Sequence, residues 1–330
     1  MNNLSHHDLV GLFEMMLYIR LTEEKIAQEY PKGQMRTPTH LGTGQEAVAA
    51  GVLRNKVSGD AIFSHHRCHN HFLASGGSAK SLFAELLGRS GGCSGGRGGS
   101  VHLVDRNSDF YGSSPILGQS VALAAGAAYA FKTKGNRNIA IAFFGDAVFE
   151  EGTTWESFNF ASISRLPALF VCENNSYSTE SKLDKRISLE TSFSERVKSF
   201  GIRYLRVNGN DSIETFEKSK EIVEWIREGN GPALIECETY RWREHVGPKF
   251  DWEMNRSYRT RQEIEYWMQK CPIQLIENYL VNAGHISRQE VEDRKLEVKK
   301  QLDTDFLEAL DSPFPTAESH LKNIYASRQG

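Results

Sequence analysis

An acidic residue, Asp146, closes one apolar run of this chain, and a pair of amides, Asn174 and Asn175, closes the next. A carboxylate and amide carbonyl oxygens, completed by water and two phosphate oxygens, supply the octahedral all-oxygen shell that Mg²⁺ demands. The layout therefore describes a metal-diphosphate site. Taken alone it is shared with ordinary turns, because Asp and Asn commonly follow strands for local hydrogen-bonding reasons.

Such a site needs elements that bring distant residues to one edge. "NIAIAFF" (residues 138–144) and "PALFVCE" (167–173) are short apolar runs suited to buried parallel strands. Between them Trp155, Phe158 and Ile163 recur at roughly helical spacing, so the unit reads strand, helix, strand. Parallel strands joined this way present their C-terminal ends together, at the edge where ligands collect in open α/β sheets. An amphipathic helix is expected over about 8–30, a loop carrying His40 after it, a helix near 45–54, and the short run "AIFS" before His65. The Gly-rich segment 88–99 reads as a loop, either a plain linker or, given Arg89, Arg97 and His102 around it, a backbone that closes over a cofactor. Runs at 202–207 and 232–239 read as further strands around a helix near 212–228, and the pattern is helical from about 260 to 325.

Five stretches carry a more specific resemblance: "HLGTGQEAVAAGV" (40–52), "HHRCHNHFLASGG" (65–77), "LLGRSGGCSGGRGGSVHL" (86–103), "FYGSSPILGQSVALAAGAAYA" (110–130) and "TYRWREH" (239–245). Together with the Gly-Asp and Asn-Asn pair, their order resembles the α subunits of thiamin-diphosphate-dependent 2-oxo-acid dehydrogenase E1 components, over about residues 10–275. The resemblance implies a three-layer α/β fold with a mostly parallel sheet between helices and a helical C-terminal region, in one domain spanning 1–330. It also implies thiamin diphosphate and Mg²⁺ as cofactors, a 2-oxo acid as substrate, and a separate β-like subunit in an α₂β₂ assembly, without which the chain is expected to be inactive. For dehydrogenase members it adds a lipoyl E2 acyltransferase as acyl acceptor.

Residue by residue, Asp146 and Asn175 match the family's magnesium ligands, and Tyr177 matches the position that supplies a backbone carbonyl. Arg67 matches the arginine that grips the diphosphate, with His66 beside it, and Ala147 and Val148 follow Asp146 among the cofactor-binding positions. Leu117 matches the bulky apolar residue over which the cofactor folds; on composition alone it is an ordinary core leucine. His245 matches the active-site histidine and His40 another that faces substrate.

There are departures. Ala147 stands where the family usually has Gly, His66 where a tyrosine is usual, Pro115 where a glycine is usual, and Val246 where the mammalian pyruvate enzymes carry a regulatory serine. The "WREHVGP" loop also resembles a bacterial subgroup associated with biosynthetic clusters. That resemblance keeps open a carboligase subunit delivering an acyl anion to an aldehyde or sugar ketone. A separate alternative is a non-catalytic assembly subunit that keeps the fold without the chemistry, against which the presence of Asp146, Asn175, Arg67 and His245 argues.

Composition bounds the rest. The 330 residues are 39% hydrophobic, enough for a large α/β core, and the formal net charge of −3 without a basic stripe argues against nucleic acid. No run has the apolar length of a membrane span, and the N-terminus lacks the pattern of a signal or transit peptide. Five cysteines without CxxC spacing are expected to be free thiols in a reducing cytoplasm.

Overall fold

Strands buried on both faces need apolar side chains on both faces, and the central segments of this chain satisfy that almost without interruption. The computed structural model describes residues 4–188 and 190–321. Six strands, β1 (Ala61–Ser64), β2 (Phe110–Ser113), β3 (Ala140–Gly145), β4 (Ala168–Asn174), β7 (Arg203–Asn208) and β8 (Ala233–Glu238), form one sheet in the order β2-β1-β3-β4-β8-β7. Every pairing in it is parallel. A two-residue hairpin, β5 (Tyr177–Ser178) with β6 (Ser181–Lys182), follows β4 directly.

Helices cover both faces. α1 (His6–Glu29), α2 (Glu46–Leu53), α3 (His69–Ser75) and α4 (Ala79–Leu86) lie on one side, joined by α8 (Ser212–Arg227), α10 (Pro272–Asn282) and α11 (Arg288–Asp311). α5 (Gln119–Lys134), α6 (Gly152–Ile163) and α7 (Phe193–Ser199) cover the other. Side chains alternate across each strand: Ile141, Phe143, Leu169 and Val171 enter the first core, while Ala142, Phe144, Phe170 and Cys172 enter the second. The three layers follow from that alternation. α9 (Arg261–Met268) packs separately, its Ile264 meeting Tyr177, Tyr240 and Trp242 under the site.

The helices start where their capping residues allow. Ser5 caps α1 by accepting from the Asp8 N–H, Asp211 caps α8, and Ser287 with Glu290 forms a reciprocal capping box at α11. α11 is charged outside, but Leu302, Phe306 and Ala309 bury against the first core and Phe306 meets Phe83 edge-on. The C-terminal helices end in a 3₁₀ turn at Ala317–Leu321, and residues 322–325 of the expected helical region lie outside the described residues. β2 and the β5–β6 hairpin have no counterpart in the periodicity, since four residues with a glycine, or two residues, are too short to display a period.

Candidate active site

The strand order reverses direction between β1 and β3: the chain leaves β1 toward β2 on one side and leaves β3 toward β4 on the other. Loops diverge at such a switch point and open a crevice at the C-terminal ends of the strands. Register places those ends level, with Gly145 opposite Glu173 and Asn174 opposite Glu238. A cavity of about 250 Å³ opens there. His65, His66 and Arg67 reach it from β1, Pro115 and Leu117 from β2, Asp146 and Ala147 from β3, Asn175 and Tyr177 from β4, His245 from the segment after β8, and His40 from the loop before α2.

The two amides separate at once. Asn174, the last residue of β4, donates from Nδ2 to Glu236 Oε1 at 2.7 Å and does not line this cavity. Asn175 does: its Nδ2 donates to Gln45 Oε1 at 3.2 Å and its Oδ1 accepts the Tyr177 N–H at 3.1 Å. Ser176, between them, sits in the left-handed region at φ 66° and turns the chain sharply there. The Tyr177 hydroxyl leaves the cavity to donate to Glu263 at 2.9 Å, so the tyrosine faces the site through its backbone. Asp146 is 1% exposed and paired with Arg186. Burial raises its pKa and Arg186 opposes that rise.

Arg67 is the least compensated charge in the cavity. It is 4% exposed, donates to Leu41 O at 2.6 Å and His245 O at 3.3 Å, and has no carboxylate partner among the described residues. Burial, with Arg241 adding repulsion, pulls its pKa down to about 9. A buried guanidinium in this condition calls for an anion.

Around it stand three imidazoles. Ring centroids are 4.6 Å apart for His40 and His66, 5.1 Å for His40 and His245, and 5.4 Å for His66 and His245. Burial first, then the Arg67 charge, lowers His40 to about 2 and His245 to about 3, and pushes His66 well below its ordinary value. All three are neutral at pH 7, each offering one N–H and one lone pair.

The same shifts set acid stability. The folded-state pKa of His40 and His245 lies below the 6.5 of the unfolded chain, so below pH 6.5 the unfolded state binds more protons. Their contribution is whole above pH 6.5 and falls by about 1.4 kcal/mol per pH unit per histidine on the way toward pH 3. Urea midpoints at pH 7.5, 6.5 and 5.5 are expected to be flat over the first interval and to fall over the second. An unchanged midpoint at pH 5.5 contradicts the burial of these rings.

Packing keeps two of the features singled out from the sequence off the cavity lining. Val148 is fully buried in the second core behind β3 and lines no part of the cavity. The 3₁₀ turn Asp146–Glu150 aims Asp146 inward, and the residue two further on faces away. The Gly-rich loop does not close over this cavity either. Its N–H groups turn to the Glu85 carboxylate, from Ser94 at 2.8 Å, Gly96 at 2.9 Å and Gly98 at 2.6 Å, and it borders a different cavity of about 630 Å³ with Arg36 and Phe314. Ala147 is not among the residues with positive φ, so its methyl group adds no left-handed strain. Leu117 lines the cavity and also packs on the second core, so both descriptions of it hold.

Sequence reasoning missed Glu173 and His65. Arg67 N–H donates to His65 Nδ1 at 3.1 Å, which leaves the proton on Nε2 for Glu173 Oε2 at 3.0 Å. Burial alone would raise Glu173, but His71 and His65 more than offset it and hold it at about 2. This chain of contacts ties the end of β1 to the end of β4 and seats Arg67. The available signal was a glutamate inside an all-apolar run, which requires a buried partner.

A parallel α/β sheet with a switch-point crevice, and in it a buried cation short of an anion, suit a nucleotide- or diphosphate-type ligand. The dehydrogenase E1 component family matches residues 14–318. The α subunit of the pyruvate dehydrogenase E1 component of Rhizobium meliloti (strain 1021) is 36% identical over 296 residues, covering 89% of this chain and 83% of that protein. Its counterpart from Rickettsia bellii (strain RML369-C) is 33% identical over 96% of both chains. The α subunit of acetoin:2,6-dichlorophenolindophenol oxidoreductase of Bacillus subtilis (strain 168) is 32% identical over 98% of this chain and 96% of that one. The chain belongs to the dehydrogenase E1 component family, as an α-type subunit of a thiamin-diphosphate-dependent enzyme.

Proposed function

We propose that this chain is the diphosphate- and Mg²⁺-binding half of an E1 enzyme that decarboxylates a small, pyruvate-like 2-oxo acid and passes the acyl unit to a lipoyl E2. The observation that carries this reading is Arg67, a buried cation without an anion, in one cavity with Asp146 and Asn175. Thiamin diphosphate, when bound, supplies the electron sink for loss of CO₂. Arg67 and the neighbouring His66 would hold its diphosphate, beside the Ala147 backbone. Asp146, Asn175 and the Tyr177 carbonyl would hold Mg²⁺, a hard cation served by oxygen ligands. Leu117 would support the rings of the cofactor. His245 and His40, neutral and half-buried, are suited to donating an N–H to the substrate carboxylate or to charge developing on it, without adding repulsion to Arg67.

A β-like partner in an α₂β₂ assembly completes the proposal. α5 and α6 expose Leu123, Tyr129, Phe160 and Ile163, and Tyr129 meets Phe160 at 5.7 Å, an apolar face of the kind that subunit contact covers. We place the assembly in the cytoplasm: all five cysteines are free, and no helix among the described residues is long and apolar enough to cross a membrane.

Affinity purification of the tagged chain from its native cell, with mass spectrometry of what stays bound, tests this. Recovery of a β-like chain with a lipoyl protein is the expected result. A β-like chain without a lipoyl protein redirects the acyl unit to an aldehyde or ketone acceptor, as in carboligation. No partner at all overturns the proposal that half the active site lies on another chain.

A further inference from the structure

Arg186 stands outside every motif that carries the resemblance, in an exposed-looking run, "KLDKRIS", yet its side chain is only 8% exposed. One guanidinium nitrogen meets Asp146 Oδ2, the other terminal nitrogen meets Glu150 Oε1, and Nε donates to Ser181 O at 3.1 Å. Those three partners belong to different parts of the site: the end of β3, the far end of the same 3₁₀ turn, and β6 of the hairpin. β6 pairs with β5, Tyr177 opposite Lys182, and the Leu183 N–H closes the hairpin on Ser176 O at 2.8 Å.

We infer that Arg186 is a positioning residue for the metal site, holding the Asp146 carboxylate by one oxygen and locking the hairpin that carries Tyr177 to it. Only Oδ2 is taken by the guanidinium. The charge balance permits this beside a divalent ion, because Glu150 neutralises Arg186 and the Asp146–Arg186–Glu150 group keeps a net charge of −1. Outer-shell partners of this kind orient a ligating carboxylate, and their loss typically weakens metal binding about 10- to 100-fold. The inference rests on Asp146, Asn175 and Tyr177 being the metal ligands.

Mn²⁺ serves as the probe, titrated by electron paramagnetic resonance into the full chain purified with its β partner in the presence of thiamin diphosphate. Arg186→Met is expected to weaken Mn²⁺ binding by about 10- to 100-fold, and Arg186→Lys, which keeps the charge but not the planar fork, to recover part of that loss. Unchanged affinity in Arg186→Met makes the residue merely structural, and tighter binding makes it a competitor for Asp146; either overturns the inference. Asp146→Ala separates the two levels, since undiminished Mn²⁺ binding there removes the metal-site reading itself. Should Arg186→Met fail to fold, Glu150→Gln reads the same network: the uncompensated guanidinium is expected to weaken Mn²⁺ severalfold, and no change overturns the inference.

Discussion

Arg67→Met is expected to make the cofactor-free protein more stable and to cripple cofactor binding. The downward pull on this guanidinium, to about 9, corresponds to a cost of a few kcal/mol for keeping a charge buried without a carboxylate partner. Methionine fills similar volume without the charge and loses the bonds to Leu41 O and His245 O, at about 1 kcal/mol each. The net gain is on the order of 2 kcal/mol, a rise of a few degrees in the melting temperature. The diphosphate, by contrast, loses charge-assisted bonds of about 1.5 to 3 kcal/mol each, so two such bonds amount to an affinity loss on the order of 10²- to 10⁴-fold. Differential scanning calorimetry without cofactor and calorimetric titration with thiamin diphosphate read the two effects separately, on the chain together with its β partner. A lower melting temperature combined with unaltered cofactor affinity would show that Arg67 is a structural residue and that the cavity holds no anion.

Asp146→Ala is expected to abolish turnover of the reconstituted enzyme, with metal affinity falling by more than the roughly 100-fold that outer-shell losses reach. Of the three protein ligands proposed for the metal, Asp146 is the anionic one; Asn175 and the Tyr177 carbonyl would contribute dipoles alone. The substitution also removes one of the two carboxylate partners of Arg186, a charge-assisted contact of about 1.5 to 3 kcal/mol. Stability and metal affinity therefore fall together, the reverse of the pattern at Arg67. Excess Mn²⁺ is expected to restore no more than a fraction of the activity. Full activity of the variant at ordinary metal concentration would move the metal site elsewhere in the cavity.

These contrasts trace back to what can be read locally. The β3, α6, β4 unit is legible because each strand is a continuous apolar run and the helix between them has a period of its own. Once that unit is drawn, the edge on which Asp146 and Asn175 must meet is drawn with it. Arg67, His245 and His40 lie far from that unit in the chain, and only their surrounding motifs pointed to them. The Gly-rich loop shows the limit: its glycines predict an irregular backbone correctly, but not what the backbone faces, and Glu85 on α4 takes its N–H groups.

Partner choice among buried polar groups is the part that local pattern does not contain. Which of Asn174 and Asn175 turns into the cavity depends on Glu236 one strand away. Why His65 holds its proton on Nε2 depends on Glu173, more than a hundred residues later. Arg186 reads as a solvated charge until the hairpin folds it against Asp146. Periodicity along a chain records which face of an element is dry, because that depends on near neighbours. A charge taken out of water must instead be matched by whatever the fold brings beside it, and that match exists only once the strands and loops are assembled.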